Sequence, residues 1–165
     1  MKFQLVDKIE SIVPGKKIVT TKVLSLAEEY LADHFPIFPV MPGVLMLESL
    51  TQAAAWLVRL EQKFSKSIVV LSVARNVRYA NFVAPGQVLR CEVELVSLDG
   101  NIAKLKGNGF VGDKPTVSVV RLELECFNLA DRGHPAASDQ EIIAGLKREF
   151  DLCGGPAALA AAAAC

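Results

Sequence analysis

Residues 33–48 read DHFPIFPVMPGVLMLE, and this stretch decides how the whole chain is interpreted. His34 stands in a loop that three prolines stiffen, because each proline ring fixes a backbone φ angle. Pro42 and Gly43 then open a strongly apolar segment, and proline is well suited to a first helical turn. Glu48 follows inside that segment. The stretch therefore predicts a base, an acid and the unpaired N–H groups of a helix start in one apolar region.

The helix that begins at Gly43 is predicted to continue to about Phe64. It is apolar on nearly every side, which is typical of a helix buried inside a protein. Glu48, Gln52 and Arg59 interrupt its apolar run, which is also too short to cross a bilayer. No insertion into a membrane is therefore expected.

Extended segments are predicted on both sides of this helix from β-branched residues and flanking turn signals. The predicted strands cover residues 18–23, 67–74, 88–98, 102–111 and 116–127, and residues 75–82 continue extended. Asp99-Gly100 and Gly112-Asp113 are typical hairpin turns, which indicate antiparallel neighbours. A strand, a long buried helix and a run of antiparallel strands indicate an α+β fold with the sheet wrapped around the helix.

Two local patterns give finer predictions near the C-terminus. In the last strand, the more apolar alternating set is expected to face the core, and it comprises Ser118, Val120, Leu122, Leu124 and Cys126. Ser138 and Glu141 form a capping box that would start a short amphipathic helix after a linker at residues 130–137. The expected division of the chain is a domain at residues 1–129, an extension at 130–153 and an alanine-rich low-complexity tail at 154–165, to which no function is assigned.

Composition excludes several classes of partner. Lys plus Arg and Asp plus Glu number 18 each, so a net charge of zero favours neither nucleic acid nor an anionic membrane surface. No Cys-x-x-Cys pair occurs, so neither a zinc site nor a disulfide framework is expected. The cysteines are Cys91, Cys126, Cys153 and Cys165. Reduced cysteines, and charges among the first eight residues where a secretory signal needs an apolar core, predict a cytoplasmic location.

Several groups near the helix start are suited to proton transfer. An imidazole on a stiff loop can act as a positioned base, which is the role predicted for His34. Apolar surroundings favour the protonated form of a carboxyl group, so Glu48 can act as an acid, and Gln52 at i+4 can orient it. The N–H of Gly43 can stabilise negative charge on a carbonyl oxygen. Each residue taken alone also fits an ordinary structural role.

This arrangement resembles the signature of the (3R)-3-hydroxyacyl-acyl-carrier-protein dehydratases of bacterial fatty-acid synthesis. The matching residues are His34, Phe35, Pro36, Pro39, Val40, Met41, Pro42, Gly43, Val44, Leu45, Glu48 and Gln52. The resemblance extends over residues 5–128 and includes the 48 − 34 = 14 position spacing of histidine and acid. It implies the hotdog fold, in which a curved antiparallel sheet wraps around one long helix.

The resemblance implies dehydration of (3R)-3-hydroxyacyl thioesters, carried by acyl carrier protein, to trans-2-enoyl thioesters without a metal or other cofactor. His34 would be the base, Glu48 the acid and Gly43 the N–H donor to the thioester oxygen, with the Val40 carbonyl orienting the imidazole. The residues expected to contact the substrate are Val40, Gln52, Ile37 and Tyr79. The resemblance also implies a homodimer with its site at the subunit interface, and three such dimers in a homohexamer.

The chain departs from the family pattern in three places. Ile37 stands where members usually have glycine, and a branched residue disfavours a positive φ. Ala80, Asn81 and Phe82 replace the usual basic residues and proline, and an extension follows from Ala130. These differences indicate a divergent member that serves a specialised lipid or polyketide pathway. A hotdog thioesterase and a non-catalytic hotdog subunit stay open as alternatives, although the pairing of a loop histidine with a helix glutamate argues against both.

Overall fold

The computed structural model describes residues 3–163. One long helix packs against the inner face of a single sheet. The strands are β1 (Lys8–Val13), β2 (Lys17–Val23), β3 (Ile68–Tyr79), β4 (Val88–Asp99), β5 (Ile102–Val111) and β6 (Lys114–Phe127), and the helices are α1 (Gly43–Glu61), α2 (Ala136–Leu152) and α3 (Gly155–Ala163). The six strands form one antiparallel sheet in the order β1-β2-β4-β5-β6-β3. Five of them, β2 to β6, pack against α1. This is the hotdog arrangement, so the expected α+β fold is confirmed.

Close packing between α1 and the sheet holds the centre of the molecule together. Leu50, Leu57 and Val58 of α1 are fully buried. Gly107 of β5 lies directly beneath the helix, because a Cβ atom there would be 3.2 Å from Leu50 Cδ2 and 3.3 Å from Val93 Cγ2. A side chain on Gly107 would therefore press against the helix, so glycine at this position permits the short distance between the two layers.

The predicted alternation in β6 is only half correct. Leu122, Leu124 and Cys126 are buried as expected, but Val120 is 65% exposed and its neighbour Val119 is buried. The pairing explains the reversal: Leu105 of β5 opposes Leu122, whereas Gly107 opposes Val119, so β6 carries an extra residue between these pairs. A β-bulge of this kind reverses the alternation of the side chains next to it, which places Val119 rather than Val120 on the core side.

The first strand, β1, lacked a recognisable sequence pattern. Ile9 and Ile12 are both buried although three positions separate them, which breaks the period of two expected for a strand. The register between β1 and β2 shifts between Ile9 and Ser11, and this irregularity restores both isoleucines to the core side. The two extended segments predicted at 67–74 and 75–82 form the single long strand β3, which ends at Tyr79, so residues 80–82 lie beyond the strand.

The predicted capping box at Ser138 is wrong. The helix α2 begins at Ala136 with Pro135 as its N-cap residue, so the last two residues of the predicted linker already belong to the helix. The side chain of Asp139 is buried and accepts hydrogen bonds from the Ser67 hydroxyl and from the N–H groups of Leu129 at 2.8 Å and Ala130 at 3.0 Å. Proline fixes a φ angle that suits a helix start. Asp139 anchors α2 to Ser67, just before β3, and to Leu129 and Ala130, just after β6.

The alanine-rich tail is helical over most of its length. Gly154, at φ 80°, ends α2, and α3 then packs against β1 with Ala158 buried. The carbonyl of Cys153 accepts a hydrogen bond from the N–H of Ile9 at 2.8 Å, so the chain connects to the sheet edge at this point. The division at residue 129 stays a prediction, and Cys165 lies outside the described residues.

The core role of Leu50 can be tested by truncation. Leu50→Ala should lower the free energy of unfolding by about 2–5 kcal/mol, because it removes fully buried methyl groups and leaves a cavity beneath α1. Leu152→Ala is the matched control, since Leu152 is 85% exposed, and its effect should stay within about 0.5 kcal/mol. Urea unfolding of both variants measures the difference, and equal effects would contradict this account of the core.

The anchoring of α2 by Asp139 should depend on pH. The hydrogen bond from Ser67, followed by those from the Ala130 and Leu129 N–H groups, lowers the pKa of Asp139. Its stabilising contribution is therefore complete above the unfolded-state pKa of about 4 and is lost as the pH falls below it. The gap in Tm between the wild type and Asp139→Asn should narrow between about pH 5 and pH 3.

Asp151→Asn is the control for this measurement, because Asp151 is an exposed carboxylate on the same helix. Its Tm should stay close to that of the wild type at every pH. A gap for Asp139→Asn that is constant over the same pH range would show that charge at this position does not anchor the helix.

Candidate active site

The imidazole of His34 is held by one backbone contact. Its Nδ1 atom lies 2.9 Å from the carbonyl oxygen of Val40, a buried residue three positions before the first residue of α1. A carbonyl oxygen can only accept a hydrogen bond, so Nδ1 carries the proton in the neutral ring. The other nitrogen, Nε2, is then left with a lone pair, as a general base requires. The predicted orienting role of the Val40 carbonyl agrees with this geometry.

The loop after His34 takes its tight turn at Phe35. Phe35 has a φ of 52°, and its carbonyl accepts a hydrogen bond from the N–H of Phe38 at 2.8 Å. The ring of Phe35 also meets the His34 ring edge-on, with centroids 4.6 Å apart. Ile37 does not have a positive φ and is fully exposed, so the glycine-to-isoleucine change strains no backbone here. Ile37 lies outside the cavity that contains His34.

A cavity of about 330 Å³ joins His34 to the start of α1. Its walls are His34, Phe35, Met41, Gly43, Met46, Tyr79, Ala80, Asn81 and Phe82. Tyr79 lies against the helix start, because a Cβ atom on Gly43 would be 3.2 Å from its ring. Because Gly43 has no side chain, the Tyr79 ring can pack closely against its backbone. The N–H of Gly43 lies in the first helical turn and has no partner within the helix. The cavity therefore brings together an imidazole that can accept a proton and an N–H group that can donate a hydrogen bond to a negatively charged oxygen.

Glu48 faces a different cavity, of about 290 Å³, on the side of α1 next to the N-terminal segment. The Gln52 Nε2 atom donates to Glu48 Oε1 at 3.0 Å and to the Phe3 carbonyl at 3.1 Å, while Gln52 Oε1 accepts from the Leu5 N–H at 2.9 Å. Two backbone groups therefore fix which end of the amide faces the carboxyl group. This agrees with the expectation that Gln52 orients Glu48.

The described chain does not bring His34 and Glu48 into one cavity. Gly43, Val40 and Tyr79 group with His34, and Gln52 groups with Glu48. Sequence reasoning predicted only Glu48 and Gln52 of the Glu48 cavity and missed its other lining residues, among them Arg59, Leu146 and Glu149. An arginine within a nearly all-apolar helix was a usable signal for Arg59, whereas the contribution of α2 depends on long-range packing.

Other kinds of site are not supported in the described part of the chain. Within residues 3–163, no three His, Cys, Asp or Glu side chains are grouped to hold a metal ion, and no helix is long and apolar enough to span a membrane. Cys91 and Cys126 are free and buried, and Cys153 is buried as well. Burial raises the pKa of the Cys91 thiol to about 12, which keeps it protonated and unreactive.

The sequence matches one known family over most of its length. The family model of the FabA-like domain matches residues 1–120. The 3-hydroxyacyl-[acyl-carrier-protein] dehydratase FabZ of Clostridium kluyveri is 36% identical over 112 residues, which are 68% of this chain and 78% of that protein. The protein of the same name from Pelotomaculum thermopropionicum is 39% identical over 112 residues, 68% of this chain and 80% of that one.

Solved structures share the fold at lower identity. The dehydratase heterocomplex ApeI:P from Xenorhabdus doucetiae superposes with a TM-score of 0.61 at 20% identity, covering 76% of this chain and 84% of that chain. A hypothetical thioesterase with coenzyme A from Streptococcus pneumoniae gives a TM-score of 0.53 at 13% identity, covering 73% and 85%. At these identities the likeness concerns the fold alone.

The tautomer of His34 can be measured directly. Neutral His34 should be protonated at Nδ1 and unprotonated at Nε2, because the Val40 carbonyl accepts from Nδ1. ¹⁵N NMR of the ring nitrogens at a pH above the titration of histidine distinguishes the two forms. The exposed ring of His134, the other histidine of the chain, serves as an internal reference with tautomers averaged by water. A predominantly Nε2-protonated His34 would leave no lone pair at the position where the mechanism needs it.

Proposed function

The chain belongs to the FabA-like family, and from this premise we propose that it dehydrates (3R)-3-hydroxyacyl thioesters carried by acyl carrier protein to trans-2-enoyl thioesters. Support comes from the relatives named 3-hydroxyacyl-[acyl-carrier-protein] dehydratase, which the chain matches over more than two thirds of their length. The observation that carries the proposal is the His34 ring, held through Nδ1 beside the N-terminus of α1. Such a site can remove a proton next to a thioester carbonyl and stabilise the resulting charge.

His34 and Gly43 perform the first half of the proposed reaction. The Nε2 atom of His34 takes a proton from C2 of the substrate, and the electron pair moves toward the thioester carbonyl. The N–H of Gly43 then donates a hydrogen bond to the developing enolate oxygen, where the helix dipole also favours negative charge. Tyr79 packs against Gly43 and lines the same cavity, so its ring would contact the thioester beside this donor.

Glu48 performs the second half. In its protonated form it donates a proton to the 3-hydroxyl group, the C3–O bond breaks, and water leaves as the C2–C3 double bond forms. Gln52 holds the carboxyl group through the 3.0 Å contact to Oε1, and the N-terminal segment holds Gln52 in turn. The reaction is an elimination that requires neither a metal nor a redox cofactor.

The site is proposed to form between two subunits of a homodimer. Because His34 and Glu48 line separate cavities of one chain, a base from one protomer and an acid from its partner would complete the site. The edge strand β3 offers the pairing surface, since no other strand among residues 3–163 pairs with its outer edge and Val70 and Leu71 are partly exposed. Pairing of two such edges would give one continuous sheet, and three dimers would form the homohexamer.

The surroundings of the His34 cavity fit a large, carrier-bound substrate. Phe35, Ile37, Phe38 and Phe82 present exposed apolar side chains near its opening. We infer that Ile37 contacts the substrate arm at the entrance rather than the reacting carbons, because it lies outside the cavity. A cytoplasmic location is part of the same proposal, and the buried free thiols suit a reducing compartment.

The assignment of base and acid can be tested by substitution. His34→Ala and Glu48→Gln should each lower the kcat for dehydration of a 3-hydroxyacyl thioester by a factor of about 10² or more, because each removes one proton-transfer group. The increase in enoyl absorbance follows the reaction. Leu152→Ala, at an exposed position, is the control. A substitution of Gln52 would not serve, because it alters the contact with Glu48. Turnover that survives both substitutions would overturn the mechanism.

Mixing the two inactive variants tests the shared site. A dimer of one His34→Ala chain and one Glu48→Gln chain has one doubly altered and one intact site, so random exchange should restore about a quarter of wild-type activity. Subunits are unfolded and refolded together, and each variant refolded alone is the control. An inactive mixture that contains heterodimers by mass spectrometry would place both residues in one protomer.

A further inference from the structure

A row of three polar side chains crosses the outer face of the sheet near the end of β3. Arg78 of β3 is paired with Ser118 of β6, which is in turn paired with Asn108 of β5, so the three positions are direct neighbours. Val77, the residue before Arg78, packs against the core, and side chains alternate along a strand, so the row faces away from α1. The row lines a surface cavity of about 390 Å³.

The three side chains of this row are available to a ligand. Within residues 3–163, none of them makes a hydrogen bond or an ion pair, and Arg78 and Asn108 are exposed. They present a guanidinium group, a hydroxyl and an amide, all of which can donate hydrogen bonds. Arg78 is also the one charged residue among the described residues that line the cavity. The cavity is therefore suited to an anion that carries several acceptor oxygens.

The nearest carboxylate along the row has cations of its own. Beyond Asn108 the row continues to Glu92 of β4. The carboxylate of Glu92 is paired with Lys17 at 2.7 Å and with Arg90. These two contacts lower the pKa of Glu92 and leave the charge of Arg78 without a matching anion on this face.

The polar cavity and the His34 cavity meet at the end of β3. Ala80 and Asn81, which follow the strand, line both of them. The Ala80 N–H donates to the Thr116 carbonyl at 2.8 Å, and the Asn81 side chain donates to the Pro115 carbonyl at 2.6 Å, so this boundary is fixed. A flexible chain bound at the outer row can therefore pass over the end of β3 and reach the His34 cavity.

The opening of the His34 cavity has few other groups that could hold an anion. No lysine or arginine occurs in residues 23–58 or in residues 79–89, and these two segments supply all the described walls of the cavity. The first segment instead carries three carboxylates shortly before His34, namely Glu28, Glu29 and Asp33. Arg78 is thus the cation that directly adjoins this opening.

We propose that Arg78, Ser118 and Asn108 bind the phosphate group of the phosphopantetheine arm that carries the substrate. This inference rests on the proposed dehydration, which places the thioester between His34 and Gly43. A phosphate group matches the planar donor fork of arginine, and the hydroxyl and amide groups can donate to its remaining oxygens. The arm then runs over the end of β3 to the thioester, so the protein recognises the arm itself.

The competing explanation is that Arg78 is a solvated charge that attracts anions without binding them. Arg75 provides the matched comparison, because it is exposed on the same strand, makes no ion pair within residues 3–163 and does not line the cavity. A general effect of charge should be the same at both positions, whereas a phosphate site should depend on Arg78 alone.

The experiment compares one 3-hydroxyacyl group attached to pantetheine, which has no phosphate, and to 4′-phosphopantetheine. The wild type should prefer the phosphorylated thioester by about tenfold in kcat/KM, as expected for charge-assisted hydrogen bonds. Arg78→Gln should reduce this ratio toward one, and Arg75→Gln should leave it unchanged. Arg78→Lys should keep part of it, because an ammonium group retains the charge but not the fork. Losses of folded protein cancel in the ratio.

The same acyl group on acyl carrier protein and on coenzyme A identifies the source of the phosphate, because both contain the phosphopantetheine arm. Arg78→Gln should lower kcat/KM for the carrier-bound thioester by a similar factor, and an effect confined to the coenzyme A thioester would overturn the carrier as the source. Absence of turnover with every thioester would overturn the proposed dehydration itself. Turnover without a preference for phosphate, or an equal loss in Arg75→Gln and Arg78→Gln, would overturn this inference and leave the dehydration intact.

Discussion

Burial of α1 inside the sheet is the constraint on which the rest of the structure depends. The helix packs against five strands, and Gly107 allows the sheet to approach Leu50 closely enough to exclude water. A helix held in this way cannot shift without opening the core. Its start and one of its side faces are therefore rigid platforms, and both chemical features of the molecule are built on them.

The start of α1 combines backbone and side-chain chemistry in a small space. The carbonyl of Val40, just before the helix, holds the imidazole of His34 in one tautomer, and Gly43 leaves an N–H group accessible beneath Tyr79. The positive φ of Phe35 turns the chain directly after His34, whose ring contacts the Val40 carbonyl. The proposed base and the proposed electrostatic stabiliser are thus both positioned by main-chain groups.

The side face of α1 has been extended by a segment that the family match does not include. Asp139 and Phe150 attach α2 to the body, and α2 then contributes Leu146 and Glu149 to the cavity in which Glu48 lies. The Glu48 end of this cavity lies within the family match, and the far end is lined partly by residues outside it.

Local sequence determined the α+β class, the bounds of β5 and the start of α1, because Pro, Gly and apolar periodicity act on neighbouring positions. It also indicated His34, Gly43, Glu48 and Gln52 as candidate site residues. Long-range packing decided the bulge that reverses β6, the irregularity that hides β1, and the start of α2 at Ala136 rather than at Ser138. Tertiary structure alone separated His34 from Glu48 into two cavities although they are close in sequence. The spacing of residues along a chain fixes which groups are available, but the cavity that each of them faces is set by the elements packed around the helix.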